Sequence, residues 1–400
     1  MTASILARVE MAPRDPILGV TEAFNADPNS RKVNLGVGVY YDDNGKVPLL
    51  RCVQQAERQI LEASPPRAYL PIDGLADYDR AVQALVFGDC AARNEGRIIT
   101  VQALGGTGGL KVGADFLRRL QPQAEVWISD PSWENHRALF ENAGFVVKTY
   151  PYYDPATRGV DFPAMTRTLR AMAPGTIVVL HACCHNPTGA DLTHDQWNEV
   201  IAIVRERELI PFLDIAYQGF AEGLDADAQP VRRFADAGMV VFVSNSFSKS
   251  FSLYGERVGA LSVVTGSPDE AARLLSQIKR IVRTNYSNPP THGGKVVATV
   301  LASTELRAIW EQELGQMRAR IRDMREQLVE QIHVRVPGHD FSFVVRQRGM
   351  FSYSGLTKEQ VTRLREEYSV YAIDSGRICV AALNSRNIGY VAEAIAAVMG

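Results

Sequence analysis

The chain has 400 residues, 46% of them hydrophobic and 22% charged, which is ordinary for a globular protein with two domains or one large domain and an appendage. Its 43 basic and 45 acidic residues nearly cancel, so no strong field recruits nucleic acid or an anionic membrane. No apolar run has the length of a membrane span, the N-terminus lacks a secretory pattern, and five irregularly spaced cysteines form no disulfide framework, so a cytoplasmic protein is expected.

The N-terminal region predicts an arm followed by the start of a folded domain. Residues 1–14 are punctuated by prolines and are expected to form an extended arm that packs on another domain or subunit. A helix is predicted from Asp15-Pro16, and a strand containing two glycines is predicted over 33–40. Tyr69 falls in a turn-rich loop, where packing or surface exposure is the usual role.

Strands alternate with helices through the middle of the chain, which predicts an α/β fold with a mostly parallel, doubly wound sheet. The apolar runs predicted as strands cover residues 97–104, 126–129, 145–150, 176–181, 209–217 and 238–244. A glycine-rich turn at 105–109 joins the first strand to a helix that continues to about residue 120. Free backbone N–H groups at such a turn favour an anion such as phosphate, but the spacing is not that of a Walker A loop and fits a dinucleotide fingerprint poorly.

A candidate nucleophile follows the last of these strands. Lys249 stands just beyond it, with Ser246 and Ser248 before it and Arg257 after it. Open α/β sheets bind ligands at the carboxyl ends of their strands, and hydroxyl groups with a guanidinium suit a phosphate dianion. A lysine desolvated beside another cation has a lowered pKa. The residues therefore suggest a Schiff-base lysine beside a phosphate site, as in pyridoxal phosphate enzymes, with a surface helix start as the alternative interpretation.

Two other strand ends carry candidate residues. Asp214 and Tyr217 end the strand at 209–217, and a buried carboxylate is rarely left unpaired. Asp214 either caps the next element or pairs with a buried cation, such as a protonated pyridine nitrogen. Cys183-Cys184-His185 suggests a metal site, but adjacent residues project in different directions and structural zinc uses spaced pairs, so no metal is predicted.

The C-terminal part predicts a connector and a smaller α+β domain. Apolar residues keep a helical period from about 305 to 334, which is long enough for a connecting helix. Strands are predicted at 341–345, 350–353 and 378–382, with a helix at 357–368. The expected division is an arm at 1–14, a small domain at 15–45 and 311–400, and a large cofactor-binding domain at 46–310.

Several separated motifs resemble the class I aminotransferases of the aspartate/aromatic branch, with wording nearest to the bacterial aromatic amino acid (tyrosine) enzymes. The likeness extends from Asp15 to Arg377, and the motifs that carry it are Asn186-Pro187-Thr188-Gly189, Asp214-Ile215-Ala216-Tyr217, Ser246-Phe247-Ser248-Lys249 and Arg257. The resemblance implies transfer of the amino group of an aromatic amino acid (tyrosine, phenylalanine) or aspartate to 2-oxoglutarate, in a ping-pong reaction through pyridoxamine phosphate.

The resemblance also implies residue roles. Lys249 would hold pyridoxal 5'-phosphate covalently as an aldimine and then move the substrate Cα proton. Asp214 would keep the pyridine nitrogen protonated, and Tyr217 and Asn186 would bind the phenolate oxygen of the ring. The residues implied to bind the phosphate are Gly106, Thr107, Ser246, Ser248 and Arg257, together with the partner subunit's Tyr69.

The remaining roles concern the ring face and the substrate. Trp133 would stack on the ring, and His136 would support Asp214, as His181 would unless it is only a packed core histidine. The residues implied to contact substrate are Gly38, Trp133, Asn186 and Arg377, with Arg377 on the α-carboxylate, and Arg283 reaching the neighbouring subunit's site for a distal carboxylate. Sites shared in this way imply a homodimer.

Alternatives stay open at this point. A dedicated aspartate aminotransferase has the same motifs, and Arg283 suits both enzymes. Five apolar residues are expected to help line a side-chain pocket, which favours aromatic substrates: Ile17, Leu18, Val37, Val39 and Val47. Another pyridoxal phosphate reaction, such as elimination or decarboxylation, is a further alternative, but it makes less use of the two candidate carboxylate-binding residues Arg283 and Arg377. A nucleotide-dependent oxidoreductase built on residues 105–109 has no use for Lys249, and a binding protein without activity would not need every catalytic position filled.

Overall fold

The structure is a computed structural model that describes residues 4–12 and 16–400. Within these ranges the backbone forms 13 strands and 15 α-helices. The strands are β1 (Val33–Asn34), β2 (Ile98–Leu104), β3 (Glu125–Asp130), β4 (Val146–Pro151), β5 (Tyr153–Asp154), β6 (Gly159–Val160), β7 (Ile177–His181), β8 (Ile210–Ile215), β9 (Val241–Ser246), β10 (Val258–Val264), β11 (Phe351–Tyr353), β12 (Val370–Tyr371) and β13 (Arg377–Cys379).

The helices cover both the sheet and the C-terminal part. They are α1 (Pro16–Ala26), α2 (Arg51–Ala63), α3 (Ala76–Phe87), α4 (Ala91–Asn94), α5 (Gly105–Leu120), α6 (Glu134–Asn142), α7 (Phe162–Ala171), α8 (His194–Glu206), α9 (Leu224–Asp236), α10 (Pro268–Asn285), α11 (Thr291–Ala302), α12 (Thr304–Arg335), α13 (Phe343–Arg346), α14 (Lys358–Tyr368) and α15 (Ile388–Met399). Short 3-10 segments lie at Ile5–Arg8 and Val380–Ala382. In this part of the chain no helix is long and apolar enough to cross a membrane.

The central sheet has seven strands in the order β2-β10-β9-β8-β7-β3-β4. Its strands run parallel except β10, which is antiparallel to both β2 and β9. All five residues of β7 are buried, as are those of β9 and β10, because helices cover both faces of the sheet. The predicted mostly parallel, doubly wound sheet is confirmed, and β10 is a strand that the sequence analysis did not predict.

Two hydrophobic clusters hold the sheet between its helices. On one side Phe140, Phe212 and Phe242 belong to a cluster that also contains residues of α5 and α10. A Cβ atom at Gly113 of α5 would lie 2.6 Å from the ring of Phe212, so glycine is required for this close approach of helix and strand. A larger cluster includes Leu180 of β7 and continues into the C-terminal helices.

Outside the central sheet, short strands connect distant parts of the sequence. β1 pairs in parallel with β12, so Val33 lies opposite Val370, and β11 pairs antiparallel with β13. The described arm residues 4–12 are exposed. These pairings support the proposed small domain built from residues 15–45 and 311–400; its first residue, Asp15, and arm residues 1–3 and 13–14 lie outside the described residues.

Three element predictions need correction. Of the strand predicted over 33–40, only Val33–Asn34 is extended in a ladder. Residues 341–345 contain the helix α13 instead of a strand, because a short apolar run fits a buried helical turn as well as a strand. The strand predicted over 378–382 ends at Cys379 and continues as a 3-10 segment. The long helix is confirmed, with 32 residues in α12.

A buried arginine connects α12 to the loop before β11. Arg325 is 3% exposed and donates hydrogen bonds to the carbonyl oxygens of Val344 at 2.9 Å, Gly349 at 2.8 Å and Phe351 at 2.6 Å. Burial lowers the pKa of the Arg325 guanidinium to about 10. The interaction fixes residues 344–351 against α12, although they lie some way along the chain from Arg325.

We expect Arg325→Met to lower the free energy of unfolding by about 3 kcal/mol, because three buried carbonyl oxygens lose their donor. Arg322→Met is the matched control, since its side chain on the same helix is 55% exposed and its ion pair with Glu222 is long, at 3.7 Å. The control is expected to change stability by less than about 0.5 kcal/mol. Urea unfolding at one protein concentration measures both, and equal losses in the two variants would contradict this role of Arg325.

Candidate active site

A cavity of about 230 Å³ lies at the carboxyl ends of β7, β8 and β9. The strands are in register here, with His181 opposite Asp214 and Asp214 opposite Ser244. Parallel strands therefore deliver their last side chains to one edge of the sheet. The cavity is lined by Gly38, Gly106, Thr107, Trp133, His181, Asn186, Asp214, Ala216, Tyr217, Ser246, Ser248, Lys249, Tyr254, Arg257, Phe351 and Arg377.

One end of the cavity is suited to an anion. The helix α5 begins at Gly105, directly after β2, and its first turn carries no acidic residue. Gly105 has a φ of +67°, and a Cβ atom there would lie 2.6 Å from the guanidinium of Arg257. Arg257 donates to the carbonyl oxygen of Tyr254 at 2.9 Å and lies 3.4 Å from Ser248 Oγ. The helix N-terminus, the serine hydroxyls and the guanidinium together form an end suited to a phosphate, called here the phosphate-binding end.

Lys249 is the amine of the cavity. Burial lowers the pKa of the Lys249 side chain to about 8, the Asp214 carboxylate acts in the opposite direction, and the charge of Arg257 lowers the pKa further. Lys249 Nζ lies 4.9 Å from the centre of the Tyr217 ring. An amine with this pKa is unprotonated to about one tenth at pH 7, far more than an ordinary lysine, and the unprotonated form is the one that attacks a carbonyl carbon.

Asp214 carries a negative charge in a buried position. Burial by itself raises the pKa of Asp214, but the hydrogen bond from His136 and the positive charge of Lys249 help to lower it below its ordinary value. Oδ2 of Asp214 accepts from His136 Nε2 at 2.9 Å, and Nδ1 of His136 lies 3.0 Å from the hydroxyl oxygen of Ser132. Oδ1 is buried and has no partner among the residues the structure describes.

His181 and His185 continue this buried group. The ring of His181 lies 4.9 Å from that of His136 and 4.4 Å from that of His185. Burial lowers the pKa of His181 to about 3, and within the described chain neither of its ring nitrogens has a hydrogen-bond partner. His185 contacts Ser129 Oγ at 2.9 Å and Thr188 Oγ1 at 2.8 Å. Both histidines are neutral, so they add no charge beside Asp214.

The other end of the cavity carries a buried arginine. Arg377 is 1% exposed, donates to the carbonyl oxygen of Gly36 at 2.7 Å and to Oδ1 of Asn186 at 3.2 Å, and lies over the ring of Phe351 at 4.5 Å. A Cβ atom at Gly38 would meet the same ring at 2.6 Å. Nε of Arg377 is buried without a partner in the described chain, so this guanidinium retains capacity for an anionic ligand.

The structure brings most of the predicted site residues together. His136 lies behind the cavity and contacts Asp214, and His181 lines it. Tyr69 is 92% exposed and Arg283 is exposed at the end of α10, where it bonds Ser287 Oγ, so neither reaches this chain's own cavity. Both were implied to act across a subunit boundary.

The predicted apolar side-chain pocket stays a prediction. In the single chain Val37 lines a different cavity, and Val39 and Val47 are not among the lining residues of the candidate active site. The side chains of Ile17 and Leu18 lie outside the described residues. Sequence reasoning missed three lining residues, Ala216, Tyr254 and Phe351. Ala216 stands inside a quoted motif and Tyr254 lies between Lys249 and Arg257, whereas Phe351 had no local signal.

These groups fit pyridoxal phosphate. The phosphate-binding end supplies hydroxyl, N–H and guanidinium donors, and Lys249 supplies an amine of lowered pKa. The unpaired Oδ1 of Asp214 offers a buried acceptor for a protonated ring nitrogen. Trp133 lines the cavity and lies edge-on to His136, with ring centres 5.3 Å apart.

Comparison with known proteins gives consistent results. The family model for aminotransferase class I and II matches residues 30–395. The chain is 61% identical to the aspartate aminotransferase of Pseudomonas aeruginosa, over 99% of this chain and 100% of the relative. It is 53% identical to the aromatic-amino-acid aminotransferase of Escherichia coli, over 98% of this chain and 99% of the relative. The aromatic-amino-acid aminotransferase from Burkholderia pseudomallei, whose crystal structure has pyridoxal phosphate covalently bound, has a TM-score of 0.98 and 65% identity over 100% of both chains.

We expect Lys249 in the cofactor-free protein to react with a small amine reagent with a midpoint near pH 8, because burial and Arg257 lower its pKa. In Asp214→Asn the midpoint should fall further, since the Asp214 charge raises the Lys249 pKa. Mass spectrometry of the Lys249 peptide across a pH series measures this, with exposed Lys358 as the reference for the reagent. A midpoint that stays fixed or rises in the variant would contradict the proposed coupling.

Proposed function

The chain belongs to the class I and II aminotransferases, and from this membership we propose that it transfers the amino group of an aromatic amino acid or of aspartate to 2-oxoglutarate. The observation that carries the proposal is one cavity lined by Lys249, Asp214 and Arg377. These supply an amine of lowered pKa, a buried carboxylate and a carboxylate-binding guanidinium. The two relatives carry the two names, aspartate and aromatic-amino-acid aminotransferase.

The residues of the cavity would hold pyridoxal phosphate at three places. Gly106, Thr107, Ser246, Ser248 and Arg257 would bind its phosphate. Lys249 Nζ would form the covalent bond to the cofactor, and Asn186 and Tyr217 would bind the ring oxygen. When bound, pyridoxal phosphate delocalises the electron pair that stays on the substrate Cα after its proton is removed.

This chain's own residues position the substrate and move the proton. Arg377, fixed by Asn186 and the Gly36 carbonyl, would bind the α-carboxylate with two N–H groups. Fixing the carboxylate orients the Cα–H bond toward Lys249, whose amine takes the proton and returns it. Asp214 would keep the ring nitrogen protonated. Its buried carboxylate has one oxygen bonded to His136 and one unpaired oxygen, and a cation beside the unpaired oxygen would stabilise the negative charge.

Substrate range and assembly are also part of the proposal. We propose a homodimer in which the partner's Tyr69 and the partner's Arg283 complete the site, since both residues are exposed in the single chain. A dedicated aspartate aminotransferase is the second candidate, favoured by the 61% identity to the aspartate enzyme of Pseudomonas aeruginosa. All five cysteines are buried and unpaired, which supports the reducing cytoplasm as the proposed location.

The first experiment is the visible absorbance of the purified protein with pyridoxal phosphate, before and after adding phenylalanine or aspartate without a keto acid. We expect both donors to convert the cofactor band to that of the amine form. Conversion by aspartate alone would support the dedicated aspartate enzyme. No cofactor band in the unmodified protein would overturn the assignment.

Lys249→Ala should lose turnover by more than about 1,000-fold while keeping its fold, because the covalent link and the proton carrier are lost together.

Arg283→Leu is expected to reduce kcat/KM for aspartate by about 100-fold and to leave phenylalanine within a few-fold. The physical reason is that a charged pair with the distal carboxylate contributes about 3 kcal/mol, and aromatic side chains do not use it. Arg280→Leu, exposed on the same helix, is the matched control. Equal losses for both donors would contradict the assigned role of Arg283.

A further inference from the structure

A second cavity, of about 380 Å³, lies beside the loop that follows β7. Cys183 and Asp227 are buried residues that line it, and Glu222, Arg233 and Arg348 also border it. It shares no lining residue with the candidate active site. None of the roles proposed above uses Cys183, Cys184 or Asp227.

Three soft or anionic ligand atoms lie close together beside this cavity, two of them from the lining residues Cys183 and Asp227 and the third from Cys184. The Sγ atoms of Cys183 and Cys184 and a carboxylate oxygen of Asp227 lie within 4.8 Å of one another, and all three residues are buried. A tetrahedral zinc ion with bonds of about 2.3 Å separates two sulfur ligands by about 3.8 Å, so a small side-chain movement would close the set around an ion. The adjacent side chains of Cys183 and Cys184 come together instead of pointing apart, because Cys184 has a φ of +52°.

The neighbouring groups decide which residues can be ligands. Both ring nitrogens of His185 are already engaged, by Ser129 and Thr188, so His185 does not join the set. Asp227 accepts backbone N–H groups at the start of α9; the bond from Gly223 is the longest at 3.3 Å and is the one that a metal ion would most easily replace.

The charges around the cavity also suit a bound divalent ion. Two thiolates, one carboxylate and a divalent cation sum to one negative charge. Three arginines border the cavity, Arg233, Arg346 and Arg348, and the carboxylates of Asp191 and Glu222 offset two of their charges, Glu222 through its 2.6 Å contact with Arg348. The remaining positive charge would balance the complex, while the empty set keeps its thiols protonated.

We propose that Cys183, Cys184 and Asp227 form a binding site for a thiophilic divalent cation such as Zn²⁺ or Cd²⁺, which enters through the second cavity. On binding, the two S–H bonds release their protons to water, and the metal exchanges bound waters for two sulfur atoms and one carboxylate oxygen. No electron is transferred. Soft thiolate ligands select such ions over Mg²⁺ and Ca²⁺, which prefer oxygen.

Metal binding here should inhibit transamination. Cys184 Sγ lies 3.8 Å from the carbonyl oxygen of Tyr217, and its backbone N–H donates to Asp191 at 2.7 Å in the loop that carries Asn186. Gly349 packs directly against Cys184, since a Cβ atom at Gly349 would lie 2.4 Å from that of Cys184. Movement of Cys184 toward an ion therefore displaces the backbone beside Tyr217 and Asn186, which both line the candidate active site.

The test is titration of the holoenzyme with Cd²⁺ in a phosphine reductant. We expect one equivalent to produce ultraviolet sulfur-to-cadmium charge-transfer absorbance and to lower kcat, with Mg²⁺ producing neither effect. Cys183→Ala should lose the absorbance and weaken Cd²⁺ binding at least tenfold. The control Cys52→Ala, at a buried position on α2, should keep the absorbance and the Cd²⁺ affinity of the unmodified protein. The candidate active site contributes no sulfur ligand, so the absorbance does not report on metal bound there.

A measurement on the unmodified chain covers the case in which Cys183→Ala does not fold. One equivalent of Cd²⁺ should slow alkylation of Cys183 and Cys184 relative to Cys90, as measured by mass spectrometry of their peptides. The proposal is overturned if no charge-transfer absorbance develops, if a folded Cys183→Ala retains it, or if the two cysteines gain no protection.

Discussion

Keeping the carboxylate of Asp214 charged inside the protein is the constraint on which the site depends. A bare carboxylate is too costly to bury, so it requires donors and positive charge close by. The register of the sheet supplies the charge, because β9 ends level with β8 and is followed by Lys249, while the donor His136 comes from α6 after β3. His136 occupies one oxygen, while the other is left for a ligand. The position of Lys249 follows from the same sheet edge, and its lowered pKa results from the burial that Asp214 also experiences.

The long helix α12 relates this sheet edge to the opposite wall of the cavity. Near its start, Trp310 donates to the carbonyl oxygen of Ser250 at 2.7 Å, directly after Lys249. Further along, Arg325 binds the carbonyl oxygens around Phe351, which contacts Arg377. The helix α12 therefore contacts both the segment that carries Lys249 and the segment that lies beside Arg377. These contacts support a site built between two parts of the chain that α12 connects.

The sequence predicts elements where a period is long or a strand is wholly buried. The heptad-like pattern of α12 and the apolar runs of β7 to β9 are of this kind, and they are confirmed. The run at 341–345 is too short to distinguish strand from helix, and its helix depends on contacts such as Arg325 to Val344. Motif residues such as Asn186 and Arg257 could be assigned through a resemblance, whereas Phe351 enters the cavity only because β11 pairs with β13. Tertiary pairing of this kind leaves no local signal.

The charges that line the cavity limit what one chain can select. Lys249, Arg257 and Arg377 are its cationic side chains in the described part of the molecule, and Asp214 is its one carboxylate there. In the proposed function a phosphate and an α-carboxylate would use the two arginines, and the amine would carry the proton. A second substrate carboxylate thus finds no free cation among these lining residues. Discrimination between aspartate and an aromatic side chain would therefore rest on a group outside this cavity. In the homodimer proposed above, the partner's Arg283 would supply that group, and specificity would then be a property of the assembly.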